Sequence, residues 1–100
     1  MTPTHAEFHV LLSLMNGPRH GYGIMQDVAA LSDGRVTIGP GTLYSMLKRL
    51  LRDDIIEEVE PDTERRRCYR LTRTGRRVAG EEAERLSALV QFHRQKRRPA

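Results

Sequence analysis

Residues 40–53 constrain this chain more than any other stretch. Wound at about 100° per residue, they send Leu43, Met46, Leu47, Leu50 and Leu51 to one contiguous arc. Thr42, Tyr44, Ser45, Lys48, Arg49 and Arg52 fall on the other. The segment therefore reads as a helix that buries one side against a core. Gly39-Pro40-Gly41-Thr42 reads as its start, because proline fits a helix's first turn and threonine can accept free N–H groups there. The polar arc holds three cations, two hydroxyls and a phenol, with no carboxylate. A solvated face ordinarily mixes signs, since opposite charges four residues apart stabilise it. An all-cationic face suits a nucleic-acid groove, and a solvated face is the competing reading of the same pattern.

The flanking segments supply what such a helix packs against. Thr4 and Glu7 have capping-box spacing, so a first helix starts there. It continues through Phe8, Val10, Leu11, Leu12, Leu14 and Met15 until Asn16-Gly17-Pro18 stops it. Phe8, Leu11, Leu12 and Met15 share one side while Val10 and Leu14 sit elsewhere, so this helix is expected to face both its own core and a second subunit. A short second helix is expected over residues 21–31, with Tyr22, Ile24, Met25 and Val28 inward, and residues 35–38 are a candidate first strand. Residues 55–60, β-branched at 55, 56 and 59, and residues 66–71 flank a polar turn and read as a hairpin. Thr72 caps a last helix running to about residue 95. In it Ala79, Ala83, Leu86, Val90 and His93 recur at alternating spacings of four and three, beside Val78, Leu89 and Phe92, and such a seam asks for a partner helix.

That order predicts a mainly α (α+β) fold: a winged helix-turn-helix with an N-terminal helix and one long C-terminal dimerisation helix. Residues 1–71 would form the DNA-binding domain, and residues 72–100 the dimerisation helix and a basic tail, in one compact unit. In winged helices the third helix enters the major groove and the hairpin reaches the neighbouring backbone.

One hundred residues bury only a modest fraction of their surface, which again points to a partner. The net charge is +4, and fifteen of the seventeen basic residues are Arg. That bias reflects either recognition of phosphate and guanine or a GC-rich genome. Charge also switches sign sharply along the chain. Residues 53–64 hold seven acids and no base, whereas residues 65–77 hold seven arginines and no acid. Arg65, Arg66 and Arg67 at the hairpin tip would give largely sequence-independent affinity for phosphates, or would instead pair with the acids upstream. Arg73, Arg76 and Arg77 open the last helix, an electrostatically poor place for cations that an anionic neighbour would relieve. Arg94, Lys96, Arg97 and Arg98 read as a solvated end.

Other chemistries find little support. The single Cys68 excludes an internal disulfide and a multi-cysteine metal site. Arg67 and Arg70 beside it would favour a thiolate, against the reading of an inert strand residue. His5 and His9 are the one local histidine pair and lack an acidic companion, which suits a solvated helix face better than a metal. No Ser-His-Asp set, phosphate-binding glycine loop or carboxylate pair is present, so neither catalysis nor a cofactor is expected. No run is long enough to cross a bilayer and no signal-peptide pattern opens the sequence, so the expected location is cytoplasmic, without a membrane partner.

Three patches carry a family resemblance: Gly17-Pro18-Arg19-His20-Gly21-Tyr22-Gly23-Ile24, Gly41-Thr42-Leu43-Tyr44 through Leu47-Lys48-Arg49-Leu50, and Tyr69-Arg70-Leu71-Thr72 with Gly75. In this order and spacing they resemble the PadR family of transcriptional regulators, in its short form with a single C-terminal helix. The resemblance implies a homodimeric repressor on an inverted-repeat operator, whose last helix exchanges contacts with the partner's first helix, and release by a small aromatic effector. Asp54 stands where many relatives have glycine, and Cys68 replaces a frequent aromatic. The chain has no Trp, so the planar-drug pocket of some short relatives does not carry over.

On this reading Thr42 and the first free N–H groups of the third helix hold a phosphate. Tyr44, Ser45, Lys48 and Arg49 face the groove, with Lys48 or Arg49 reading guanine. Tyr44 could equally pack against the second helix, and Tyr22 reads as a packing residue. Phe8, Leu11, Leu12, Met15, Leu86, Leu89, Val90, Phe92 and His93 form the expected dimer surface. The competing function is a protein-interaction module that presents the third helix to an acidic partner.

Overall fold

The computed structural model describes residues 1–97. The elements are α1 (His5–Ser13), β1 (Arg19–His20), α2 (Gly21–Leu31), α3 (Pro40–Arg52), β2 (Ile56–Val59), β3 (Cys68–Leu71) and α4 (Arg73–Lys96). The winged-helix arrangement follows: three helices, a β2–β3 wing and a trailing helix.

Local chemistry sets the helix ends. Thr4 Oγ1 accepts the Glu7 N–H at 3.1 Å while Glu7 Oε1 accepts the Thr4 N–H at 2.8 Å, closing the capping box of α1. His20 Nδ1 accepts the Gly23 N–H at 3.0 Å and caps α2. At the end of α3, Asp54 takes φ 59°. Ile55 N–H then reaches back to the Leu50 carbonyl at 2.9 Å and Asp54 N–H to Leu51 at 3.1 Å, the Schellman pattern that satisfies the last carbonyls.

The next joint is tight. Thr72 Oγ1 donates to the Asp54 carbonyl at 2.6 Å and accepts the Gly75 N–H at 2.9 Å, capping α4, while Thr72 N–H bonds the Ile55 carbonyl at 3.1 Å. A Cβ on Gly75 would lie 2.0 Å from the Ile55 carbonyl oxygen, so α4 docks on the wing only because residue 75 has no side chain.

The apolar arc of α3 behaves as expected. Leu43, Met46, Leu47 and Leu50 are buried, and they pack with Val10 and Leu11 of α1, Leu14 at its C-cap, Ile24 and Val28 of α2, Ile55, Ile56, Tyr69 and Leu71 around the wing, and Val78 and Ala79 of α4. Between α1 and α2, Asp27 accepts from Ser13 Oγ at 2.8 Å and from Arg19 Nε at 3.0 Å. That satisfies a buried hydroxyl.

Several expectations change. The first strand is Arg19–His20, not residues 35–38. It lies beside β3 in an antiparallel sheet of order β1-β3-β2, with Arg19 opposite Tyr69 and Val59 opposite Cys68. The 35–38 segment is held locally instead, by Ser32 Oγ bonding both the N–H and the carbonyl of Val36. α1 ends at Ser13 rather than running through Met15, because Leu14 and Met15 donate to carbonyls only three residues back. Leu11 is fully buried with Val10 and Leu14, so it belongs to the chain's own core and not to a surface a second subunit could cover. Val78 and Ala79 of the last-helix seam are spent in the same way. Tyr22 points outward at 61% exposure.

Candidate nucleic-acid interface

The polar arc of α3 is presented as a face. Thr42, Tyr44, Ser45, Lys48, Arg49 and Arg52 are all exposed, because the four buried residues between them pin the helix by its opposite side. Gly39 caps α3 without a side-chain hydrogen bond, so Thr42 does not serve as the cap, and the first-turn N–H groups lack a side-chain acceptor among the described residues. Tyr44, at 59% exposure, stands out from α3 rather than packing under α2.

The three cations of this arc differ in their company. Arg52 contacts Asp53 at 3.4 Å on the surface. Arg49 Nη2 donates to the buried Glu7 carboxylate on α1. Lys48 has no ion-pair partner among the described residues. Of the two cations expected to read guanine, only Lys48 is unengaged.

The wing resolves the abrupt change of sign in the sequence. The hairpin sets acids against arginines: Arg70 of β3 pairs with Glu57 of β2 at 2.7 Å, Arg67 just before β3 with Glu58 at 2.7 Å, and, within the turn, Arg66 with Asp62 at 2.8 Å and Glu64 at 3.4 Å. The Arg67 hydrogen bond holds the Glu58 carboxyl below its ordinary pKa. The Arg66 backbone N–H, with help from its guanidinium, does the same for Asp62. These groups are solvent-exposed, and such pairs contribute little and open easily. Arg65 sits at the turn with φ 61° and has no ion-pair partner among the described residues. Pairing with the upstream acids thus accounts for Arg66 and Arg67 in the isolated chain.

Between the start of α2, α3 and β3 lies a cleft of about 330 Å³ lined by three tyrosines, Tyr22, Tyr44 and Tyr69, with Arg66 and Arg67 at its edge. Tyr69 forms the buried part, and burial pushes its phenol up in pKa. The Arg67 guanidinium lies 5.9 Å from the centre of its ring. Tyr22, expected inward, instead lines the cleft, and Glu7 has a second role beyond its cap. Neither the cleft nor the Glu7–Arg49 link leaves a local sequence signal.

The expected dimer residues divide. Phe8 and Leu12 of α1 are half-buried, Met15 just past its end is 42% exposed, and Leu86 is half-buried on α4. Leu89, Val90 and Phe92 are 56%, 47% and 62% exposed, with His93 beside them. Arg98 of the basic tail lies outside the described residues. Cys68 is buried with Sγ 3.5 Å from the Arg66 carbonyl, which favours the inert reading. His9 Nδ1 is bonded to the His5 carbonyl, and no group of three metal-ligating side chains occurs among the described residues. No described helix is long and apolar enough to cross a membrane.

Residues 10–81 match the sequence profile of the transcriptional regulator PadR-like family. An uncharacterized 37.1 kDa protein in transposon TN4556 of Streptomyces fradiae is 35% identical over 89 residues, covering 89% of this chain and 25% of its own length. The chain therefore spans a quarter of that relative. Among solved structures, a transcriptional regulator from Clostridium thermocellum superposes with a TM-score of 0.77 at 23% identity, over 94% of this chain and 91% of that one. A PadR-like transcriptional regulator from Bacillus cereus does so at 0.76 and 17%, over 89% and 87%. These two likenesses speak for the fold and the profile match for the family. With its exposed cationic helix, its wing and a family match across 72 of its residues, the chain belongs to the PadR-like family of DNA-binding transcriptional regulators rather than to an enzyme family.

Proposed function

We propose that the chain is a homodimeric repressor that places α3 in the major groove of each half of an inverted-repeat operator. The observation that carries this reading is the α3 face, six exposed polar residues without a carboxylate on a helix pinned from behind by four buried apolar ones. Lys48, without an ion-pair partner among the described residues, is the base reader, with Tyr44 and Ser45 beside it. Thr42 and the open first-turn N–H groups take a phosphate. Arg65 touches backbone at the wing, and Arg66 and Arg67 join it by exchanging exposed carboxylates for phosphates. Phe8, Leu12 and Met15 of one copy meet Leu86, Leu89, Val90, Phe92 and His93 of the other. Release by a flat aromatic effector belongs to the same proposal, and the three-tyrosine cleft offers such a molecule a seat on the DNA face.

Fluorescence-anisotropy titration against DNA from upstream of the chain's own gene tests this. Saturable binding that resists unrelated competitor DNA is expected. Lys48→Ala should relax discrimination at one base position by about 1–3 kcal/mol, whereas Arg65→Ala should weaken all sequences alike and flatten the salt dependence. Absence of sequence preference at moderate salt with the dimer intact would overturn the proposal. Displacement of bound DNA by flat aromatic compounds tests the effector, and no displacement by any of them would remove it from the proposal.

A further inference from the structure

Glu7 precedes Arg49 by 42 positions, yet the fold joins them. Glu7 is 3% exposed, and both of its carboxylate oxygens are committed: Oε1 accepts the Thr4 N–H at 2.8 Å and Oε2 accepts from Arg49 Nη2. A buried carboxylate is costly unless charge and hydrogen bonds compensate it, so Arg49 is held in place by more than a surface attraction. Burial alone would push the Glu7 carboxyl up in pKa, but the Thr4 N–H and the Arg49 guanidinium outweigh it and hold the group below its ordinary value. Among the three cations of the α3 face, Arg49 is the one bound to a different element. The helix that holds it, α1, also carries Phe8 and Leu12, with Met15 just past its end, the residues proposed to meet a second copy.

We propose that Glu7 is a positioning residue for DNA recognition: through Arg49 it keeps that guanidinium away from the bases and fixes where α1 stands along the reading helix. Apolar contacts between two helices tolerate sliding, whereas a directional ion pair fixes register. Base preference is then carried by Lys48 and its neighbours, and a displacement of α1 on dimer formation is passed to α3. This rests on the DNA reading above.

The test compares full-length wild type, Glu7→Gln, Arg49→Gln and the double variant in two ways. The first, without DNA, follows the Glu7 carboxyl by NMR titration. Its midpoint is expected to rise in Arg49→Gln, and an unchanged midpoint would overturn the link. The second selects preferred half-sites from a randomised DNA library. Arg49→Gln is expected to keep the wild-type preferred bases with weaker binding. Glu7→Gln, which frees the guanidinium, is expected to gain a guanine preference on the order of tenfold at one position, and the double variant to lose that gain. Loss of a wild-type base preference in Arg49→Gln, or an unaltered preference in Glu7→Gln with only a lower melting temperature, would overturn the proposal. Should Glu7→Gln fold poorly, Arg49→Gln, altered at a half-exposed side chain, decides it alone. A wild type with no base preference but a linked Glu7 titration would overturn the DNA reading rather than the pair.

Discussion

Asp54 occupies the left-handed position that closes α3, at φ 59°, where a Cβ carries a steric penalty that glycine avoids. Asp54→Gly is expected to stabilise the chain by about 0.5–1 kcal/mol, read as a higher melting temperature. Glu7 predicts a pH effect of definite sign. Its folded pKa is depressed below the ordinary 4.5, so its contribution is complete above that value and is lost as pH falls through the lower folded one. Melting curves of wild type and Glu7→Gln should differ most at neutral pH and converge as pH drops below 4.5. The capping role of Glu7 was legible because Thr4 and Glu7 are neighbours. Its second role was not, since no spacing encodes a contact across 42 positions. Arg67 shows the same limit from another side: the sequence leaves phosphate contact and pairing with the upstream acids both open, and it is the hairpin pairing that brings Glu58 alongside it.

At the scale of elements, periodicity decided what could be read. α3 shows a strict apolar arc, and four of its five residues are buried, with Leu51 half-buried near the helix end. β1 has two residues, too few for any alternation to appear, and it exists because β3 offers it an edge. α1 is apolar nearly all round, so the sequence could not rank its sides, and Leu11 went to the core instead of the surface. The contact between α4 and the wing yields the sharpest prediction here. Gly75→Ala must push α4 away from the Ile55 carbonyl, 2.0 Å from the new Cβ. Neither backbone can yield cheaply, so a loss of about 2–3 kcal/mol is expected, measured by denaturant unfolding. A variant as stable as wild type would show that α4 can redock.

The molecule as a whole is longer than its chain length warrants. Its radius of gyration is 15.2 Å and its longest extent 56 Å, against about 13 Å in radius for a compact chain of this size. The excess comes from α4, whose buried residues stop at Glu82 although the helix continues to Lys96. The apolar residues beyond Glu82 are the ones proposed to meet a second copy. Replacing Leu89 and Phe92 together by Glu is expected to convert a dimer to monomer in sedimentation equilibrium while leaving the far-ultraviolet helix signal of the first 82 residues in place. The seam of α4 was visible in the sequence, but its first part is consumed by the chain's own core, and only the structure shows where that use ends. A helix left half uncovered also ties order to abundance. Isolated stretches of this length are marginal in water, so with a second copy supplying the cover the melting temperature becomes concentration-dependent. On the proposed dimer, scarcity would let the last turns fray, and the two reading heads would lose their fixed separation. Dilution would then switch this protein off as heat does others.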